Sequence, residues 1–407
     1  MKCRFDSLPL SQVFVDLGHC PPSNSYLLKD QLNEMEAYYP LKLYVSENTF
    51  LVQVDEHKRA DEIFGGEYAY FSSFSQSWLR HAEQYVDMMV QRFGINNHQQ
   101  VIEIASNDGY LLQYFMKHGV PVLGIEPSLS VAQAALDKGI ETLVDFFGVE
   151  LAKKLKAKGV GADLLLGNNV LAHVPDINDF VAGMKILLSE NGIITMEFPH
   201  LMHLVEQIEF DTIYHEHFSY YSFYTVSKIF EAHGLEIFDV DEIPTHGGSL
   251  RIYVQHEKGP QSVSSNVEAL LAKEKSKGMQ TMDYYKGFQE KVDGIKISLL
   301  KFLVEQKEAG RTVAGYGAAA KGNTLLNFCG VRGDLVSFVA DASDFKQGRY
   351  LPGSHIPIVS EDAIKSEKPD YVLILPWNLR EEIVDQLSYI REWGGEFVTA
   401  IPSLECF

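Results

Sequence analysis

Between residues 100 and 200, apolar segments of strand length alternate with segments of helical character. Strands that alternate with helices in this way are typical of a parallel sheet whose faces are covered by helices. The pattern therefore predicts an α/β domain in the middle of the chain. The candidate strands are QVIEIAS, VPVLGIEPS, ADLLLGNNV and GIITMEFP.

A second alternating unit follows a polar, Lys-rich helical segment at roughly 262–309. It begins with RTVAGYGAAAKGNTLLNF and continues through LVSFVADAS, PDYVLILPW and GGEFVTAIPS. A chain of 407 residues is also too long for one ordinary core. We predict three domains: a small β-rich N-terminal module (1–78), a Rossmann-like central domain (79–260) and a C-terminal Rossmann-like domain (261–407).

Composition excludes several classes of partner. The net charge of −20 argues against a protein that binds nucleic acid or an anionic membrane, because phosphate groups attract basic surfaces. No apolar run approaches the ~20 residues that span a bilayer, and MKCRFDSLPLSQ lacks the apolar core of a secretory signal. The four cysteines are scattered and suggest no disulfide framework. We expect a cytoplasmic protein, and a small ligand that carries phosphate is not excluded, because it needs only a local basic or backbone N–H pocket.

The first central strand leads into a short polar turn in VIEIASNDGYLL (101–112). A glycine in such a turn lets the backbone approach a ligand, while N–H groups of the next helix face it. The turn lacks the G-x-G-x-x-G spacing of dinucleotide sites, so NAD is disfavoured. The candidate cofactor-binding residues here are Glu103, Ser106, Asn107 and Gly109.

Polar residues also follow the next three predicted strands. Glu126 ends the second strand, where an acid can accept hydrogen bonds from both hydroxyls of a ribose, although for this residue alone a solvated strand-end acid is the more common case. Asp145 and Phe146 follow the third strand and suit an adenine amine and its ring. Together this order resembles the S-adenosylmethionine (SAM) binding layout of class I methyltransferases. The fourth strand ends in three further candidates, Asn168, Asn169 and His173.

The stretch DTIYHEHFSYYS (211–222) sets two histidines around a glutamate, with tyrosines on both sides. It is compatible with a metal site, an acid/base centre or a polar loop. Metal binding is disfavoured, because the stretch lacks the His-Glu-x-x-His spacing and has no obvious third ligand. Of the two histidines, we expect His215 to be structural.

Six motifs occur together and in a fixed order. They are PPSNSYL (21–27), SNDGYLL, DTIYHEHFSYYS, HGGSLR (246–251), GYGAAAKGNTLLN (315–327) and KQGRYLPGSHIPI (346–358). Together they resemble the sugar C-methyltransferase family of deoxysugar biosynthesis, which methylates nucleotide-linked 4-keto sugars. The resemblance covers essentially the whole chain. It implies a small zinc-binding N-terminal module, a SAM-binding core and a C-terminal Rossmann-like domain, with the nucleotide sugar between the domains.

The chain departs from this family in its N-terminal module. The family usually carries two Cys-x-x-Cys pairs there, whose four thiolates suit tetrahedral zinc. Here Cys3 is followed by Asp6 at the second position, and Ser46 and Thr49 stand in place of the second pair. Because neutral hydroxyls are weak zinc ligands, we predict no zinc and a module held together by apolar contacts.

Methylation of a carbon next to a ketone needs a base and stabilisation of the enolate oxygen. The resemblance makes His217 the base, and a histidine with an unperturbed pKa of ~6.5 is mostly neutral at pH 7. It also implies that Glu216 binds a sugar group or orients the site. By the same resemblance Tyr214 and His173 contact the sugar and the enolate. His173 alone would be equally typical of a satisfied polar residue.

The resemblance also indicates residues around the substrate. Tyr68 in GGEYAYFSS matches a position that closes over cofactor and substrate, and Tyr70 is its rival for that role. Arg251 in HGGSLR can hold phosphate oxygens in a bidentate way, but a glycine turn explains this stretch equally well. The loop around Lys321 resembles a phosphate loop without its full G-x-x-x-x-G-K-[ST] frame. The substrate candidates are His246, Arg251, Lys321, Asn323, Tyr70 and Trp377.

The sequence therefore predicts a SAM-dependent C-methyltransferase for a nucleotide-linked 4-keto deoxysugar, methylating C-3 and releasing S-adenosylhomocysteine. One alternative is methylation of another carbon, an oxygen or an amine of the sugar. A second alternative, from a different class, is a non-catalytic binding protein descended from the enzyme. The sugar, the nucleotide and the oligomeric state stay open.

Overall fold

The computed structural model describes residues 1–57 and 71–407 of the chain. Numbered in chain order, the strands of the described residues are β1 (Gln12–Cys20), β2 (Tyr39–Val45), β3 (Val52–Val54), β4 (Val101–Ile104), β5 (Val122–Ile125), β6 (Thr142–Leu143), β7 (Ala162–Asn168), β8 (Leu188–Pro199), β9 (Ser219–Tyr220), β10 (Leu235–Ile243), β11 (Ser249–His256), β12 (Val313–Tyr316), β13 (Val339–Ala340), β14 (Ile358–Val359), β15 (Tyr371–Ile374), β16 (Glu396–Thr399) and β17 (Glu405–Cys406).

The α-helices of the same residues are α1 (Gln76–Phe93), α2 (Leu112–Lys117), α3 (Leu129–Asp137), α4 (Val149–Ala157), α5 (Ile177–Leu187), α6 (Leu201–Glu206), α7 (Phe223–Ala232), α8 (Ser265–Ser276), α9 (Phe288–Glu308), α10 (Ala320–Cys329), α11 (Asp362–Glu367) and α12 (Arg380–Gln386). Short 3₁₀ helices span Asp30–Asn33, Ser72–Phe74, Leu171–His173, Phe210–Thr212, Thr245–Gly247, Met282–Tyr285, Trp377–Leu379 and Ser388–Trp393.

The chain forms two compact units, and each is assembled from separate segments. The first unit comprises Met1–Ser11, Ser46–His200 and Phe218–Tyr284. The second unit comprises Gln12–Val45, Leu201–His217 and Tyr285–Phe407. The domain limits at residues 78 and 260 stay a prediction.

The main sheet of the first unit has the strand order β10-β11-β8-β7-β4-β5-β6. Strands β4 to β8 pair in parallel, whereas β11 is antiparallel to both β8 and β10. The strand order reverses at β4, which lies between β5 and β7. Such a reversal opens a crevice at the carboxyl ends of the strands, where ligands bind in open α/β sheets. The predicted α/β architecture of the central region is confirmed.

Strand β4 shows how this sheet is buried on both faces. Ile102 and Ile104 belong to one apolar cluster, and Val101 belongs to another. Because side chains alternate along a strand, these two clusters lie on opposite faces of the sheet. Burying such a side chain fully contributes about 1.5–3 kcal/mol. The polar exception is Glu103, which is also fully buried.

Helix α1 begins and ends at residues suited to those positions. The side chain of Ser75 accepts a hydrogen bond from the backbone N–H of Trp78 (3.2 Å), and Gly94 ends the helix with a φ of 65°. The buried residues share one face of the helix, which packs on the sheet. Those residues are Ala82, Tyr85, Val86 and Met89.

The second unit contains a sheet with the order β14-β13-β12-β15-β16-β17. Its strands pair in parallel except for β17, which is antiparallel to β16. Within the same unit β1 and β2 form an antiparallel ladder. The second Rossmann-like sheet predicted from the sequence is thereby confirmed.

All four cysteines are free, and Cys406 is the exposed one. Burial raises the pKa of the Cys20 and Cys329 thiols to about 12, so both are protonated at neutral pH. In the part of the chain that the structure describes, no helix has the length and apolar character that crossing a membrane requires.

Candidate active site

In the first unit, Glu126 organises the turn that follows β4. Its carboxylate accepts hydrogen bonds from the backbone N–H groups of Asn107 (3.0 Å) and Ser128 (2.9 Å). Ala105 and Asn107 have φ angles of 56° and 51°, which residues other than glycine rarely adopt. Backbone strain of this kind clusters at functional sites, where the surrounding structure maintains it.

Buried polar atoms without partners lie at the carboxyl ends of β4 and β7. The side chains of Glu103, Ser106 and Asn168 have no hydrogen-bond partner among the described residues, and none is more than 8% exposed. Each unpaired buried group costs about 1–3 kcal/mol, so such a set is typical of a ligand site. In the same turn Gly109 has a φ of 73°, and a Cβ there would lie 2.3 Å from the Ile140 side chain.

The charge state of this turn favours a cationic ligand. Burial raises the pKa of Glu103 well above its ordinary value, and the carboxylates of Asp108 and Glu126 raise it further. Burial also raises the pKa of Glu126, although its bonds from backbone N–H groups oppose that shift. Asp108 is already paired with the ammonium of Lys138 at 3.0 Å. A ligand that brought hydrogen-bond donors or positive charge to Glu103 would offset the free-energy cost of burying its carboxylate.

Asp145 and Phe146 lie on the exposed loop after β6. Both line a surface pocket of about 310 Å³, together with Lys154 and Asp179. The Asp145 carboxylate accepts a hydrogen bond from the backbone N–H of Phe146 (2.9 Å), which sets the acid beside the ring. An acid beside an exposed aromatic ring suits an adenine base, and this role stays a prediction.

Asn169 and His246 bind each other beyond the end of β7. The amide nitrogen of Asn169 donates to Nε2 of His246 at 2.8 Å, and both residues have a φ of 56°. The ring of Trp78 packs edge-on against His246, with 5.2 Å between ring centroids. Two strained residues that hold each other in this way are typical of a built site rather than of a loose turn.

Arg251 lies in a buried ion pair. Its Nε donates to the carboxylate of Glu197 (2.7 Å), which is directly opposite it in the pairing of β11 with β8. The second Glu197 oxygen lies 2.8 Å from Nε2 of His81. Burial alone would raise the pKa of Glu197, but His81 and Arg251 together lower it. The predicted phosphate contact of Arg251 stays a prediction, and Glu197 already occupies part of the guanidinium.

In the second unit, Tyr214 and His217 form a hydrogen-bonded pair. The Tyr214 hydroxyl lies 2.8 Å from Nε2 of His217, and Nδ1 of the same ring lies 2.9 Å from the carbonyl oxygen of Thr212. A carbonyl oxygen only accepts, so Nδ1 carries the proton and Nε2 of the neutral ring is the acceptor. This tautomer presents Nε2 as a Brønsted base, with a phenol next to it.

The two residues between them are buried and face other groups. Both carboxylate oxygens of Glu216 accept from the side-chain amide of Asn24 (2.8 and 2.9 Å). Nε2 of His215 lies 3.2 Å from the carbonyl oxygen of Pro40, the geometry of a donated hydrogen bond. His215 and His217 therefore bind different carbonyl groups, in line with a structural role for His215.

The predicted substrate residues of the second unit also contact protein groups. Nζ of Lys321 donates to the side-chain carbonyl of Asn378 (2.7 Å) and lies 4.8 Å from the ring centroid of Trp377. The Trp377 indole N–H donates to Asp211 (2.9 Å). Asn323 is 1% exposed. Binding of a nucleotide diphosphate by these residues stays a prediction.

His173, Tyr68 and Tyr70 are the remaining predicted site residues. His173 ends the 3₁₀ helix Leu171–His173, which follows β7 in the first unit, and its side chain is partly exposed. Tyr68 and Tyr70 lie outside the described residues. The structure thus brings Tyr214 and His217 together, and it brings Asn169 and His246 together.

Three family models match consecutive parts of the chain. Their descriptions are "Putative zinc binding domain" for residues 3–64, "Methyltransferase domain" for residues 78–240 and "C-methyltransferase C-terminal domain" for residues 244–402. C-methyltransferase NovU of Streptomyces niveus is 34% identical over 388 residues, which cover 95% of this chain and 92% of that protein. This chain belongs to the C-methyltransferase family. It is a SAM-dependent methyltransferase with a class I Rossmann-like core.

Solved structures are only distantly similar to this C-methyltransferase. Magnesium protoporphyrin IX methyltransferase (ChlM) from Synechocystis PCC 6803 with bound SAH is 15% identical, with a TM-score of 0.34 over 43% of this chain and 81% of that one. A methyltransferase from Clostridium acetobutylicum ATCC 824 is 9% identical, with a TM-score of 0.35 over 44% and 92%. These likenesses are too weak to carry an argument about the site.

The first unit of the C-methyltransferase fits SAM. SAM carries an ammonium and a sulfonium group, and Glu103 offers a buried carboxyl without a partner among the described residues. Asn168 offers an amide donor and an acceptor that likewise have no hydrogen-bond partner among the described residues. Gly109 is required in this turn by its positive φ and by the Ile140 side chain, which leaves no space for a Cβ.

The residues of the N-terminal module, in contrast, do not fit zinc. The four positions of the family's cysteines meet, because the Cys3 thiol lies 3.6 Å from the Thr49 hydroxyl and hydrogen-bonds with Asp6. Burial raises the pKa of Cys3, which disfavours the thiolate that zinc requires. The Ser46 hydroxyl instead accepts from the backbone N–H of Thr49 (3.1 Å), and Asp6 accepts from the Asn48 amide (2.9 Å). Hydrogen bonds thus link the positions at which the family usually carries its zinc-binding cysteines.

Restoring the cysteines should create a metal site in this module. The triple variant Asp6→Cys, Ser46→Cys and Thr49→Cys supplies four thiols at positions that already meet, and is expected to bind one zinc ion per chain. Mass spectrometry of metals and the thiolate absorption of a cobalt-substituted sample measure the gain. The unmodified chain, expected to carry no zinc, is the control. Stoichiometric zinc in the unmodified chain would refute the prediction.

Several site residues carry no signal in the sequence. Asn24, Asp211 and Glu197 were not singled out, although each binds a candidate residue. Asn24 stands in the motif PPSNSYL, which indicated the family but no role for the asparagine. Only the folded chain brings these partners together, because they are separated from the candidates by 54 to 192 positions.

Proposed function

We propose that this C-methyltransferase methylates C-3 of a nucleotide-linked 4-keto deoxysugar. The observation that carries the proposal is the geometry of His217, whose Nδ1 is held by the Thr212 carbonyl so that Nε2 is the basic nitrogen. The proton on a carbon next to a ketone is weakly acidic, so its removal needs a positioned base of this kind. The assignment of a nucleotide-linked sugar as the substrate is supported by the resemblance of the sequence motifs to those of sugar C-methyltransferases.

In the proposed reaction, Nε2 of His217 takes the proton from C-3. The electron pair of that C–H bond moves toward the ketone, which becomes an enolate. The Tyr214 hydroxyl, 2.8 Å from Nε2, is placed to donate to the enolate oxygen once His217 is protonated. Glu216, oriented by Asn24, binds a sugar hydroxyl, and His173 is a second contact. When bound, SAM supplies the methyl group and leaves as S-adenosylhomocysteine.

The first unit would hold the cofactor through the residues that follow its strands. Glu126 would accept from the ribose hydroxyls with lone pairs that Asn107 and Ser128 leave unused, and Asp145 with Phe146 would hold the adenine. Tyr68 would close over cofactor and substrate. The remaining cofactor residues are Glu103, Ser106, Asn107, Gly109, Asn168 and Asn169.

The nucleotide-sugar contacts complete the proposal. His246 and Arg251 in the first unit, and Lys321, Asn323 and Trp377 in the second, are the proposed contacts, with Tyr70 as a further one. We place the enzyme in the cytoplasm, since its four cysteines are all free, as is usual in a reducing compartment.

The proposal is tested by incubating the enzyme with SAM and a dTDP-4-keto-6-deoxysugar. The expected product is heavier by one CH₂ group, with the new methyl on C-3 by NMR. In D₂O without SAM, deuterium is expected to enter C-3, because only carbon methylation requires carbon acidity. Transfer to an oxygen or an amine without exchange at carbon would overturn the proposal in favour of heteroatom methylation, and binding of SAM without transfer would favour a non-catalytic relic.

A further inference from the structure

A backbone carbonyl helps to set the orientation of His217. Residues 211–217, here called the base loop, carry both His217 and its partner Thr212. Because Nδ1 of His217 bonds to the carbonyl of Thr212 (2.9 Å), any rotation of that peptide turns the imidazole or breaks the hydrogen bond. Whatever fixes the Thr212 peptide therefore fixes Nε2 as well.

The residues on both sides of Thr212 are anchored by side chains from elsewhere in the second unit. On one side, the Asp211 carboxylate accepts from the Trp377 indole N–H (2.9 Å). On the other, the carbonyl of Ile213 accepts from the Thr324 hydroxyl (2.9 Å). Two directional hydrogen bonds thus bracket the peptide that holds His217.

The surroundings make the Trp377 bond costly to lose. Asp211 is fully buried, and its second carboxylate oxygen has no hydrogen-bond partner among the described residues. Burial raises the pKa of Asp211 to about 6, while the ammonium of Lys321 and the bond from Trp377 oppose this shift. Glu209 is a second buried acid close to Asp211 and Lys321. The backbone N–H groups of Asp211 and Thr212 also lower this pKa, and removal of the indole N–H would take away the hydrogen bond that reaches Asp211 from outside the base loop.

The start of α10 also ties down the loop that holds Glu216. The side-chain amide of Asn323 donates to the carbonyl of Ser23 (2.6 Å), and the next residue, Asn24, binds Glu216. Thr324 is the neighbour of Asn323 on this helix. The motif GYGAAAKGNT therefore supports both ends of the acid/base stretch through consecutive residues.

We propose that Trp377 and Thr324 are positioning residues for His217, acting through the backbone of the base loop. The proposal rests on the proposed role of His217 as the base. It assigns to the conspicuous AKGNT segment and to Trp377 a task besides the predicted contact with the nucleotide. Misplacement of a catalytic group by about 1 Å costs about 100-fold in rate, so modest loop shifts matter.

Conservative substitutions test the proposal. Trp377→Phe keeps an aromatic ring beside Lys321 but removes the N–H, and Thr324→Val removes the hydroxyl at nearly constant shape. Each is expected to lower kcat and deuterium exchange at C-3 together by about 10-fold, an intermediate loss for a partly anchored loop. KM for the sugar and the affinity for SAM are expected to stay within twofold. Asp211→Asn keeps an acceptor for the indole and should retain kcat, whereas Asp211→Leu should not.

The chain offers a matched control in Trp393, also in the second unit. Its indole N–H donates to the carbonyl of Pro369 (3.0 Å), so Trp393→Phe loses the same kind of bond away from the base loop. Trp393→Phe is expected to leave kcat unchanged. Equal losses in the two tryptophan variants, or a rise of KM without loss of kcat in Trp377→Phe, would overturn the proposal.

A second measurement separates this proposal from the proposed function. In side-chain ¹⁵N spectra of histidine-labelled enzyme, with His217 assigned by comparison with His217→Asn, the unmodified chain should show the Nδ1–H tautomer. Trp377→Phe should give a mixture of tautomers, whereas Trp393→Phe should not. This readout needs no substrate, so it decides the positioning role even if no nucleotide sugar is methylated. An unchanged His217 signal in Trp377→Phe would refute it.

Discussion

Replacing His217 by asparagine is expected to lower kcat for methyl transfer by about 1,000-fold, since a positioned general base contributes typically 10²–10⁴-fold. The asparagine amide can still donate to the Thr212 carbonyl, which Nδ1 reaches at 2.9 Å in the unmodified chain. It offers no basic nitrogen in place of Nε2. Affinity for SAM, measured by calorimetry, should not change, because His217 is not among the proposed cofactor residues.

A control variant and a second measurement accompany this experiment. His118→Asn replaces an exposed histidine whose Nε2 lies 3.1 Å from Asp87, and it should leave kcat unchanged. Deuterium exchange at C-3 in the absence of SAM should fall in His217→Asn as steeply as kcat does, because both require removal of the same proton. A variant that still exchanges at the original rate but does not methylate would show that another group is the base.

The parallel sheets could be predicted because their signal is local. In β4 and β15 every residue is buried, so the strands stand out as short apolar runs between polar turns. The polar residues at the ends of these runs were predictable as well, since the carboxyl ends of parallel strands meet at one edge. Glu103, Ser106 and Asn168 follow this rule, and their buried atoms, which have no hydrogen-bond partner among the described residues, distinguish them from ordinary strand-end residues.

Residues whose neighbours are set by pairing over long separations could not be predicted. Arg251 looked suited to phosphate because of its chemistry, but the register of β11 against β8 places it opposite Glu197. No local pattern reveals that register. The same holds for Asp211, which binds Trp377 across 166 positions of the chain.

The N-terminal region shows a related limit. The limits of the N-terminal module, residues 1–78, stay a prediction. Gln12–Val45 belongs to the second compact unit and Ser46 onward to the first, and tertiary contacts, which no local pattern shows, decide this membership. The missing cysteines were visible in the sequence, but the hydrogen bonds of Ser46 and Asp6 that link those positions were not.

Replacing Glu103 by glutamine is expected to weaken SAM binding by about 10- to 100-fold, because a hydrogen bond to a charged group contributes about 1.5–3 kcal/mol. The same substitution should stabilise the protein without SAM at pH 8. Burial raises the pKa of Glu103 well above its ordinary value, so between the unfolded and folded pKa values the folded chain binds more protons than the unfolded chain. The contribution of Glu103 to the free energy of unfolding therefore falls as the pH rises through that window.

Glutamine removes this pH-dependent loss, since it never ionises. In thermal melts without SAM, Tm of Glu103→Gln should exceed that of the unmodified chain at pH 8, and the difference should be smaller at pH 5, which lies closer to the ordinary pKa of a glutamate. Glu83→Gln, which alters an exposed acid paired with Lys117, is the matched control and should change neither Tm nor affinity. Unchanged affinity for SAM, or a Tm difference that is the same at both pH values, would contradict the role of Glu103 as a buried acid that a cationic cofactor stabilises.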